Sequence, residues 1–434
     1  MKRLFFGGVH PQYQKEMSAS DAGSALRTVC SARVVIPMRQ HIGVPCTPLV
    51  RVGEYVLRGQ KIGDGEGLCV PVHASVSGTV TAVEPRPHPT LGQVLAVEIE
   101  NDGRDEAALP AALPTTDDEI LHAIREAGIV GMGGAAFPAN VKTLSAMGKI
   151  DTLIANACEC EPYITADDCL LRTAPERVLD GMRILASLLR PQRTVLAIED
   201  NKPEAIASVR AQLAQYPEIM LTVLPTRYPQ GAEKQLVQSV TGREVPPGQL
   251  PAAVGCAVFN VSTFASIADA VLRGLPLTER IVTVTGEAVA KPQNFLVRIG
   301  TAFSDVLSAA GGVTAPELHL INGGPMMGAA VETPDVPTVK ATGCILCLPQ
   351  KKRGDTEHPV CLRCGKCVGV CPMKLQPLYL YRYTNRRDAA ALQRLHLTDC
   401  MECGSCSFIC PGKLPLTERF REGKQFLRQE GNNA

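Results

Sequence analysis

Two runs of four cysteines, each followed by proline, constrain what this 434-residue chain can fold into more than any other feature of its sequence. Each run has the spacing Cys-x2-Cys-x2-Cys-x3-Cys-Pro, which is typical of bacterial ferredoxins that bind four-iron, four-sulfur clusters. Where two such runs occur, the first three cysteines of a run bind one cluster and the fourth binds the other. The sequence therefore predicts two clusters, one bound by Cys361, Cys364, Cys367 and Cys410 and the other by Cys371, Cys400, Cys403 and Cys406.

Structural zinc sites are the alternative interpretation of these runs, because they also use Cys-x2-Cys pairs. Zinc needs only four ligands and seldom uses this run with its closing proline, so iron–sulfur clusters are favoured. A further pair, Cys344 and Cys347, has no second pair nearby. Free cysteine is often simply buried, and we expect these two residues to be core or loop thiols.

Composition and the N-terminal sequence restrict the location and the partners. The first residues reach Gly7, His10 and Pro11 before an apolar segment forms, so we expect no secretory signal peptide. No stretch approaches the roughly 18 apolar residues that span a bilayer, and any membrane contact is expected to be indirect. Without a signal peptide, cysteines are expected to be ligands or reduced thiols in the cytosol. A net charge of +1 and the absence of tryptophan argue against nucleic acid as a partner.

The pattern of strands and helices divides the chain into four predicted domains. Short strands separated by glycines predict a small all-β module, and a Pro-rich linker follows it. Apolar strands that alternate with helical patterns then predict an α/β domain with a parallel sheet. A small α+β insert and a mainly helical tail complete the chain. The predicted bounds are 1–110, 117–275, 276–345 and 346–434.

A glycine-rich loop at residues 128–138 is the first candidate ligand site. It follows a helical stretch rather than a strand, so it does not match the usual dinucleotide fingerprint. Its backbone N–H groups nevertheless have few side chains in front of them, which suits a nucleotide phosphate. Lys142 lies close enough in sequence to add a positive charge.

An acidic loop at residues 156–163 is the second candidate. It follows a predicted strand, and groups outside the carboxyl ends of parallel strands lie where such folds bind ligands. Glu159 and Glu161 flank a cysteine and could accept hydrogen bonds from ribose hydroxyls or a nicotinamide amide. A solvated loop and a metal site are the alternatives.

These motifs carry a resemblance to known families. The glycine loop, the acidic loop, residues 231–233 and residues 260–263 occur in the order and spacing of the flavin- and NADH-binding subunit of respiratory complex I. The chain resembles still more closely the C subunit of the Rnf electron-transport complex. That resemblance covers nearly the whole chain, from residues 6–11 through 40–43, 73–78 and 321–328 to both cysteine runs.

The resemblance implies a multidomain α+β architecture. Its domains would be an N-terminal barrel-sandwich module, an α/β flavin- and NADH-binding domain, a small β-grasp-like insert of the SLBB type and a helical two-cluster ferredoxin domain. Residues 73–78 lack the lysine that biotinyl and lipoyl carriers modify, so the barrel module is expected to be a docking module. Ala136 stands where the complex I loop commonly has a glycine, and Cys158 where an acid or alanine is usual.

The resemblance also implies the cofactors and their contacts. FMN would be bound non-covalently, and NADH would stack over its ring near Phe137. Positioning groups suffice at such a site, because hydride transfer between two rings needs alignment rather than a protein acid or base. The predicted cofactor-binding residues are Gly131, Gly133, Gly134, Phe137, Lys142, Asn156, Glu159, Glu161, Glu233, Asn260 and Thr263.

The activity implied is that of the NADH-side subunit of an ion-translocating ferredoxin:NAD+ oxidoreductase, in which electrons pass between NAD(H), FMN and two clusters. Its partners would be Rnf-type membrane subunits and a ferredoxin-like subunit, at the cytoplasmic face of the cell membrane. Two alternatives stay open at this point. One is a soluble NADH reductase that feeds a reductase or a cobalamin enzyme, and the other is an iron–sulfur relay without flavin.

Overall fold

The computed structural model of the protein describes residues 5–19, 26–350 and 359–432. The N-terminal module consists mainly of short strands that surround an apolar core of valine and isoleucine side chains. Two of its sheets are antiparallel, with the strand orders β2-β8-β7-β4 and β3-β5-β6. The strands are β1 (Thr28–Val29), β2 (Arg33–Pro37), β3 (Thr47–Pro48), β4 (Tyr55–Val56), β5 (Lys61–Asp64), β6 (Val72–His73), β7 (Gly78–His88) and β8 (Gly92–Asn101).

The second domain is a parallel sheet covered by helices. Its strands β9 (Thr152–Ala157), β10 (Arg193–Glu199), β11 (Ile219–Leu224) and β12 (Cys256–Asn260) are arranged in the order β11-β10-β9-β12. Strands β9 and β10 are almost continuously buried, as expected of a sheet packed on both faces. The helices are α1 (Asp117–Glu126), α2 (Ala139–Ala146), α3 (Ala166–Thr173), α4 (Pro175–Leu189), α5 (Pro203–Gln212), α6 (Glu233–Thr241) and α7 (Val261–Arg273).

The third domain is a mixed six-stranded sheet of order β1-β14-β13-β17-β15-β16 with one helix. Strand β1 comes from the N-terminal segment and pairs parallel with β14, so it joins the first and third domains. Its other elements are β13 (Glu279–Thr285), β14 (Gln293–Arg298), α8 (Phe303–Ala309), β15 (Leu318–Asn322), β16 (Ala329–Val331) and β17 (Cys344–Pro349).

Helices of 4 to 17 residues form the C-terminal domain and pack around leucine and phenylalanine side chains such as Leu380, Leu392 and Phe420. They are α9 (Lys366–Gly369), α10 (Pro377–Asn385), α11 (Ala389–Arg394), α12 (Ser405–Phe408) and α13 (Leu416–Asn432). Short 3-10 turns occur at Lys15–Met17, Leu213–Gln215, Pro251–Val254 and Leu397–Asp399. In the part of the chain that the structure describes, no helix is both long and apolar enough to cross a bilayer.

Candidate functional site

The parallel sheet reverses its strand order between β9 and β12. Strands β10 and β11 lie on one side of β9, and β12, the next strand along the chain, lies on the other side. Open α/β sheets bind ligands in the crevice at such a point, outside the carboxyl ends of the strands. Asn156 and Asn260 lie there as partners in the β9–β12 register. The fold therefore brings two of the predicted cofactor residues together at the favoured place.

The glycine loop closes over this crevice and is fixed by its own backbone and by Thr263. The N–H of Gly131 donates to the carbonyl of Phe137 at 2.8 Å. The N–H of Met132 donates to Oγ1 of Thr263 at 3.0 Å, and Thr263 is fully buried. Thr263 therefore holds the loop from beneath.

Two glycines of the loop have very different surroundings. A Cβ on Gly133 would lie 3.0 Å from Cβ of Asn260, so this glycine lets the loop pack on the strand end. A Cβ on Gly134 would meet nothing within 4 Å. The loop also leads directly into the N-terminus of helix α2, and the dipole of a helix favours an anion at that end. Open space before Gly134, backbone donors and a helix N-terminus fit a flavin phosphate.

Ala136 occupies a backbone conformation that favours glycine, because its φ is 52°. A β-branched side chain is strongly disfavoured there, and Ala136 is also buried among Val130, Met132 and Ile299. We expect Ala136→Val to lower stability by about 2 kcal/mol or more and to reduce flavin occupancy. The free energy of unfolding of Ala136→Gly should stay within about 1 kcal/mol of the parent value. Glycine removes the strain of the left-handed conformation, and this gain offsets the loss of the methyl group.

Thermal unfolding and bound-flavin analysis of the two Ala136 variants would check this expectation. Equal stabilities for the valine and glycine variants would show that the loop does not depend on this conformation.

Lys142 and Glu233 form an ion pair at the rim of the crevice. Nζ of Lys142 lies 2.6 Å from a carboxylate oxygen of Glu233 and 5.2 Å from the centre of the Phe259 ring. Both side chains are about one third exposed, at 33% and 35%. The pair is accessible to a ligand, so either group can exchange its partner for a phosphate or a ribose.

The side-chain amides of Asn156 and Asn260 hold protein groups. Asn156 donates to the carbonyl of Gly231 at 2.8 Å and accepts from the N–H of Cys158 at 3.0 Å. Asn260 caps helix α7 by accepting from the N–H of Ser262, and it donates to Asp167 at 2.6 Å. These two side chains shape the crevice by joining its loops.

Asp167 lies beneath Asn260, and nothing in the helical pattern of the sequence marks it. Burial raises the pKa of its carboxyl to about 6, and the nearby charge of Glu159 acts in the same direction. Hydrogen bonds from Asn260 and Ser262 act in the opposite direction.

The carboxylates of Glu159 and Glu161 face different parts of the protein. Glu159 accepts from the N–H groups of Asp167 and Asp168 and so caps helix α3. Glu161 accepts from the N–H of Met326 at 3.2 Å, in the loop between β15 and β16. Of these two carboxylates, Glu161 therefore connects the crevice to another domain.

Lys15 fixes the acidic loop from the N-terminal segment. Its ammonium is buried and donates to the carbonyls of Glu159, Glu161 and Ile164 at 2.6, 2.9 and 2.6 Å. Burial lowers the pKa of Lys15. No local pattern indicates this role, because the two segments are far apart in sequence.

Burial raises the pKa of Glu161 from 4.5 to about 7, and hydrogen bonds from Met326 and Met327 moderate the increase. The folded protein therefore keeps a proton that the unfolded chain releases between these pH values. The stability that this proton contributes is complete below pH 4.5 and is lost as the pH rises through 7. Glu161→Gln, which resembles the protonated form, should therefore gain about 1.4 kcal/mol of stability relative to the parent between pH 6 and pH 8.5, because pH 6 lies one unit below the folded pKa.

Thermal melts of both proteins at pH 6 and pH 8.5 would check the Glu161 prediction. A difference in melting temperature that does not change with pH would contradict it.

The eight cysteines of the two runs lie around two separate cavities. Cys371 lies with Cys400, Cys403 and Cys406, whereas Cys410 lies with the cysteines of the first run. The fourth cysteine of each run thus lies with the first three of the other. The lining cysteines of the second cavity are Cys361, Cys364, Cys367 and Cys410.

The two ligand loops have the same backbone geometry, as expected of a repeat. Arg363 and Glu402 have φ of 53° and 57°, and the glycines two positions later, Gly365 and Gly404, have φ of 73° and 78°. Each loop turns an N–H towards a sulfur at 3.4 Å, from Arg363 to Cys361 and from Glu402 to Cys400. Such N–H···S hydrogen bonds stabilise the sulfurs of a cluster, so both cavities fit a four-iron cluster.

The cavity with Cys403 adjoins the crevice, and the other cavity faces outwards. The hydroxyl of Tyr228 donates to the carbonyl of Cys403 at 2.6 Å and lies 3.5 Å from a carboxylate oxygen of Glu161. Gln235 in helix α6 contacts the carbonyl of Pro372 at 3.4 Å. Cys364, in the outer cavity, is exposed. We call the two groups the inner and the outer cysteine groups.

Comparison with known proteins decides the family. The chain is 43% identical to the C subunit of the Na(+)-translocating ferredoxin:NAD(+) oxidoreductase complex of Acetobacterium woodii, over 88% of this chain and 87% of that protein. It belongs to this RnfC family. Family models match as the RnfC Barrel sandwich hybrid domain at 3–104, the Nuo51 FMN-binding domain at 124–269, the SLBB domain at 281–330 and the 4Fe-4S dicluster domain at 355–411.

Membership in the RnfC family confirms the predicted domain order, the flavin and iron–sulfur cofactors and the role in NAD-linked electron transfer. The chain is one subunit of a larger complex. The residue assignments within each site remain predictions.

Solved structures share the fold of this RnfC chain. NAD+-reducing [NiFe]-hydrogenase in its H2-reduced state matches with a TM-score of 0.50 and 21% identity, over 73% of this chain and 62% of that one. The air-oxidised state matches with a TM-score of 0.50 and 21% identity, over 72% and 63%. This chain therefore spans less than two thirds of the hydrogenase chains, and the likeness is one of fold.

Cys344 and Cys347 lie in strand β17 and are fully buried. Residues three apart in a strand face opposite sides of a sheet. Cys344 packs with Tyr163 and Leu346, whereas Cys347 packs in the core of the third domain. The expectation of core thiols therefore agrees with their positions, and Cys347, which the predicted bounds assign to the helical tail, lies with Cys344 in a strand of the third domain.

Proposed function

We propose that electrons pass from NADH through FMN in the crevice to the cluster of the inner cysteine group, and from there to the cluster of the outer group. The observation that carries this order is the contact between Tyr228 and Cys403, which joins the inner group to the loops around Asn156. FMN, when bound, exchanges electron pairs with NAD(H) and single electrons with iron–sulfur clusters.

The residues of the crevice act by positioning. The N–H groups around Gly133 and Gly134 would bind the phosphate, and Lys142 would neutralise part of its charge after leaving Glu233. Glu233, released from the ion pair, accepts from a ribose hydroxyl of NADH. Phe137 would lie beside the stacked rings. No proton needs to move on these side chains, because alignment of the two rings suffices.

Thr263 and Asn260 hold the glycine loop and the strand end in register, and Asn156 does the same for the loop at Gly231. Glu159 acts through helix α3, which it caps. We assign these four residues to positioning of the crevice rather than to direct contact with the nucleotide rings. Glu161 completes the set at the side of the crevice that faces the inner cysteine group.

The outer cysteine group is the exit for single electrons. Cys364 is exposed, and the neighbouring Val360 and Leu362 are 61% and 65% exposed. An apolar rim of this kind around a redox centre suits a transient protein partner. We infer that the ferredoxin-like subunit of the complex docks here.

The setting that we propose is a peripheral position at the cytoplasmic face of the cell membrane, bound to membrane subunits of an Rnf-type complex. Support comes from the relative in Acetobacterium woodii, whose complex is an Na+-translocating one. The barrel-sandwich module is the docking module in this proposal. The direction of electron flow then depends on the potentials of NADH and ferredoxin rather than on any group in the crevice.

An anaerobic NADH titration tests the proposed path. Protein reconstituted with clusters would be prepared with FMN and after removal of FMN. NADH should bleach the cluster absorbance only in the FMN-loaded sample, and dithionite should bleach it in both. Bleaching of the clusters by NADH without flavin would contradict the path, and so would intact clusters that NADH leaves oxidised in the loaded protein.

A further inference from the structure

Three metal-binding side chains converge in the barrel-sandwich module, away from both cysteine runs. His41 and Cys46 lie on the connection between β2 and β3, and Cys69 lies between β5 and β6. All three are buried, with exposed fractions of 6%, 3% and 2%. Their donor atoms lie within 4.8 Å of one another. The proposed electron path uses none of them.

The imidazole of His41 is held in the form that a metal requires. Its Nδ1 lies 3.2 Å from the carbonyl oxygen of Ile42, which can only accept, so Nδ1 carries the proton. Its Nε2 accepts from the N–H of Val70 at 3.3 Å and faces the two sulfurs. The lone pair of Nε2 therefore already accepts a backbone hydrogen bond, which a metal between His41 and the two thiols would replace, and a carbonyl fixes the far side of the ring as in other metal-bound histidines.

The distances among the donors match a tetrahedral ion. The two sulfurs are 3.5 Å apart, and Nε2 lies 3.9 Å from Sγ of Cys46 and 3.7 Å from Sγ of Cys69. Zinc, with bonds of about 2.3 Å to sulfur and about 2.0 Å to nitrogen, holds two sulfurs about 3.8 Å apart and sulfur and nitrogen about 3.5 Å apart. Small side-chain movements would complete the arrangement.

The surroundings favour thiolates once a metal is present. A divalent cation bound between the two sulfurs would displace the thiol protons, because zinc binds thiolates. The ammonium of Lys340 is buried near both sulfurs and donates to the carbonyls of Pro71 and Gly128 at 2.8 and 2.6 Å. Two thiolates balance the charge of a divalent ion, and the ammonium of Lys340 remains as a positive charge beside them.

We propose that His41, Cys46 and Cys69 bind one structural zinc ion, with an oxygen donor in the fourth position. Two sulfurs and one imidazole are a donor set that zinc prefers. A buried metal site of this kind stabilises a fold by joining separate loops.

The zinc site would support the glycine loop of the flavin site. The loops at Val44 and Leu68 already approach closely, with a hydrogen bond of 3.0 Å between their backbones. The N–H of Ile42, next to His41, donates to the carbonyl of Ala136 at 3.3 Å. Zinc would thus fix the segment that contacts the glycine loop from outside.

Metal analysis of the full chain tests the proposal. Protein purified anaerobically with both clusters should contain about one zinc per chain in addition to the cluster iron. Cys46→Ser and Cys69→Ser should lower the zinc content to less than about a tenth while the iron is retained. Cys30→Ser is the matched control, because Cys30 is a cysteine of the same module outside the group, and it should keep the zinc.

X-ray absorption at the zinc edge separates this site from zinc misplaced in a cluster site. The proposed site should show sulfur together with imidazole nitrogen, whereas the cysteine runs can provide only sulfur. If the serine variants do not fold, the zinc content and the absorption edge of the unaltered protein show whether zinc binds at the proposed site. A zinc-free wild type with full iron would overturn the proposal, and so would an all-sulfur zinc or a Cys46–Cys69 disulfide found by mass spectrometry.

Discussion

Gly133→Val should remove FMN from the protein and stop the reduction of the clusters by NADH, while both clusters remain. The added Cβ would lie 3.0 Å from Asn260, which caps helix α7 and forms the end of strand β12. Either the loop or the strand end must move, and the crevice changes shape. The φ of Gly133 lies outside the left-handed region, so its backbone angle does not require glycine. Glycine is needed because the loop passes so close to Asn260.

Gly134→Val distinguishes an effect on ligand binding from an effect on the packing of the protein. A Cβ at Gly134 would meet no atom within 4 Å apart from its chain neighbours, so we expect the fold to tolerate valine. If the flavin phosphate occupies that space, FMN occupancy should fall by at least about tenfold with little change in melting temperature. Bound FMN, iron and the NADH response would be measured in the same samples of both variants.

Loss of iron together with flavin in Gly133→Val would show a general collapse, and the Gly134 variant then carries the test. Full FMN occupancy and unchanged bleaching by NADH in Gly134→Val would rule out this loop as the phosphate site.

Alanine substitutions in the two cysteine groups should have opposite consequences for electron flow. In Cys403→Ala the inner cluster is lost, so NADH should no longer reduce the outer cluster, although dithionite still does. In Cys364→Ala the outer cluster is lost, and NADH should still reduce the inner one. The two variants should differ because their cysteines lie in different places. Tyr228 connects Cys403 to the crevice, whereas Cys364 is exposed to solvent.

Electron paramagnetic resonance of each variant, after NADH and after dithionite, would measure this asymmetry. Each variant serves as the control for the other, because both lose one ligand and about four iron atoms. Reduction of the outer cluster by NADH in Cys403→Ala would reverse the proposed order of the clusters.

The cysteine runs and their crossed grouping could be predicted from sequence, because ligand spacing is a local property and the two runs are complete. The repeated φ angles at Gly365 and Gly404 follow from the same local pattern. The parallel sheet was also predictable, since strand and helix patterns alternate in the order that such a fold requires. The resemblance then supplied the domain order, which the family matches confirm.

Contacts between distant segments could not be predicted in this way. Lys15 binds three carbonyls of the acidic loop, although about 145 residues separate them. The β1–β14 pair joins residues near 28 to residues near 296. Periodicity within a segment carries no information about such partners, because they depend on how whole domains pack.

The functions of individual polar residues were equally difficult to predict. Asn156, Asn260 and Glu159 have the right residue types for nucleotide contacts, yet their side chains hold backbone groups of the protein. The same amide or carboxylate chemistry serves both purposes. Only the hydrogen-bond distances in the structure distinguish a residue that shapes a crevice from one that faces an open ligand space.

In the proposed electron path, one chain converts the electron pair of NADH into single electrons on two clusters. Freeze-quenched samples of the fully loaded protein, mixed anaerobically with one equivalent of NADH, would be examined by electron paramagnetic resonance. We expect cluster signals that integrate to about two spins per NADH, because each four-iron cluster takes one electron. A reduced flavin accompanied by oxidised clusters would contradict this path.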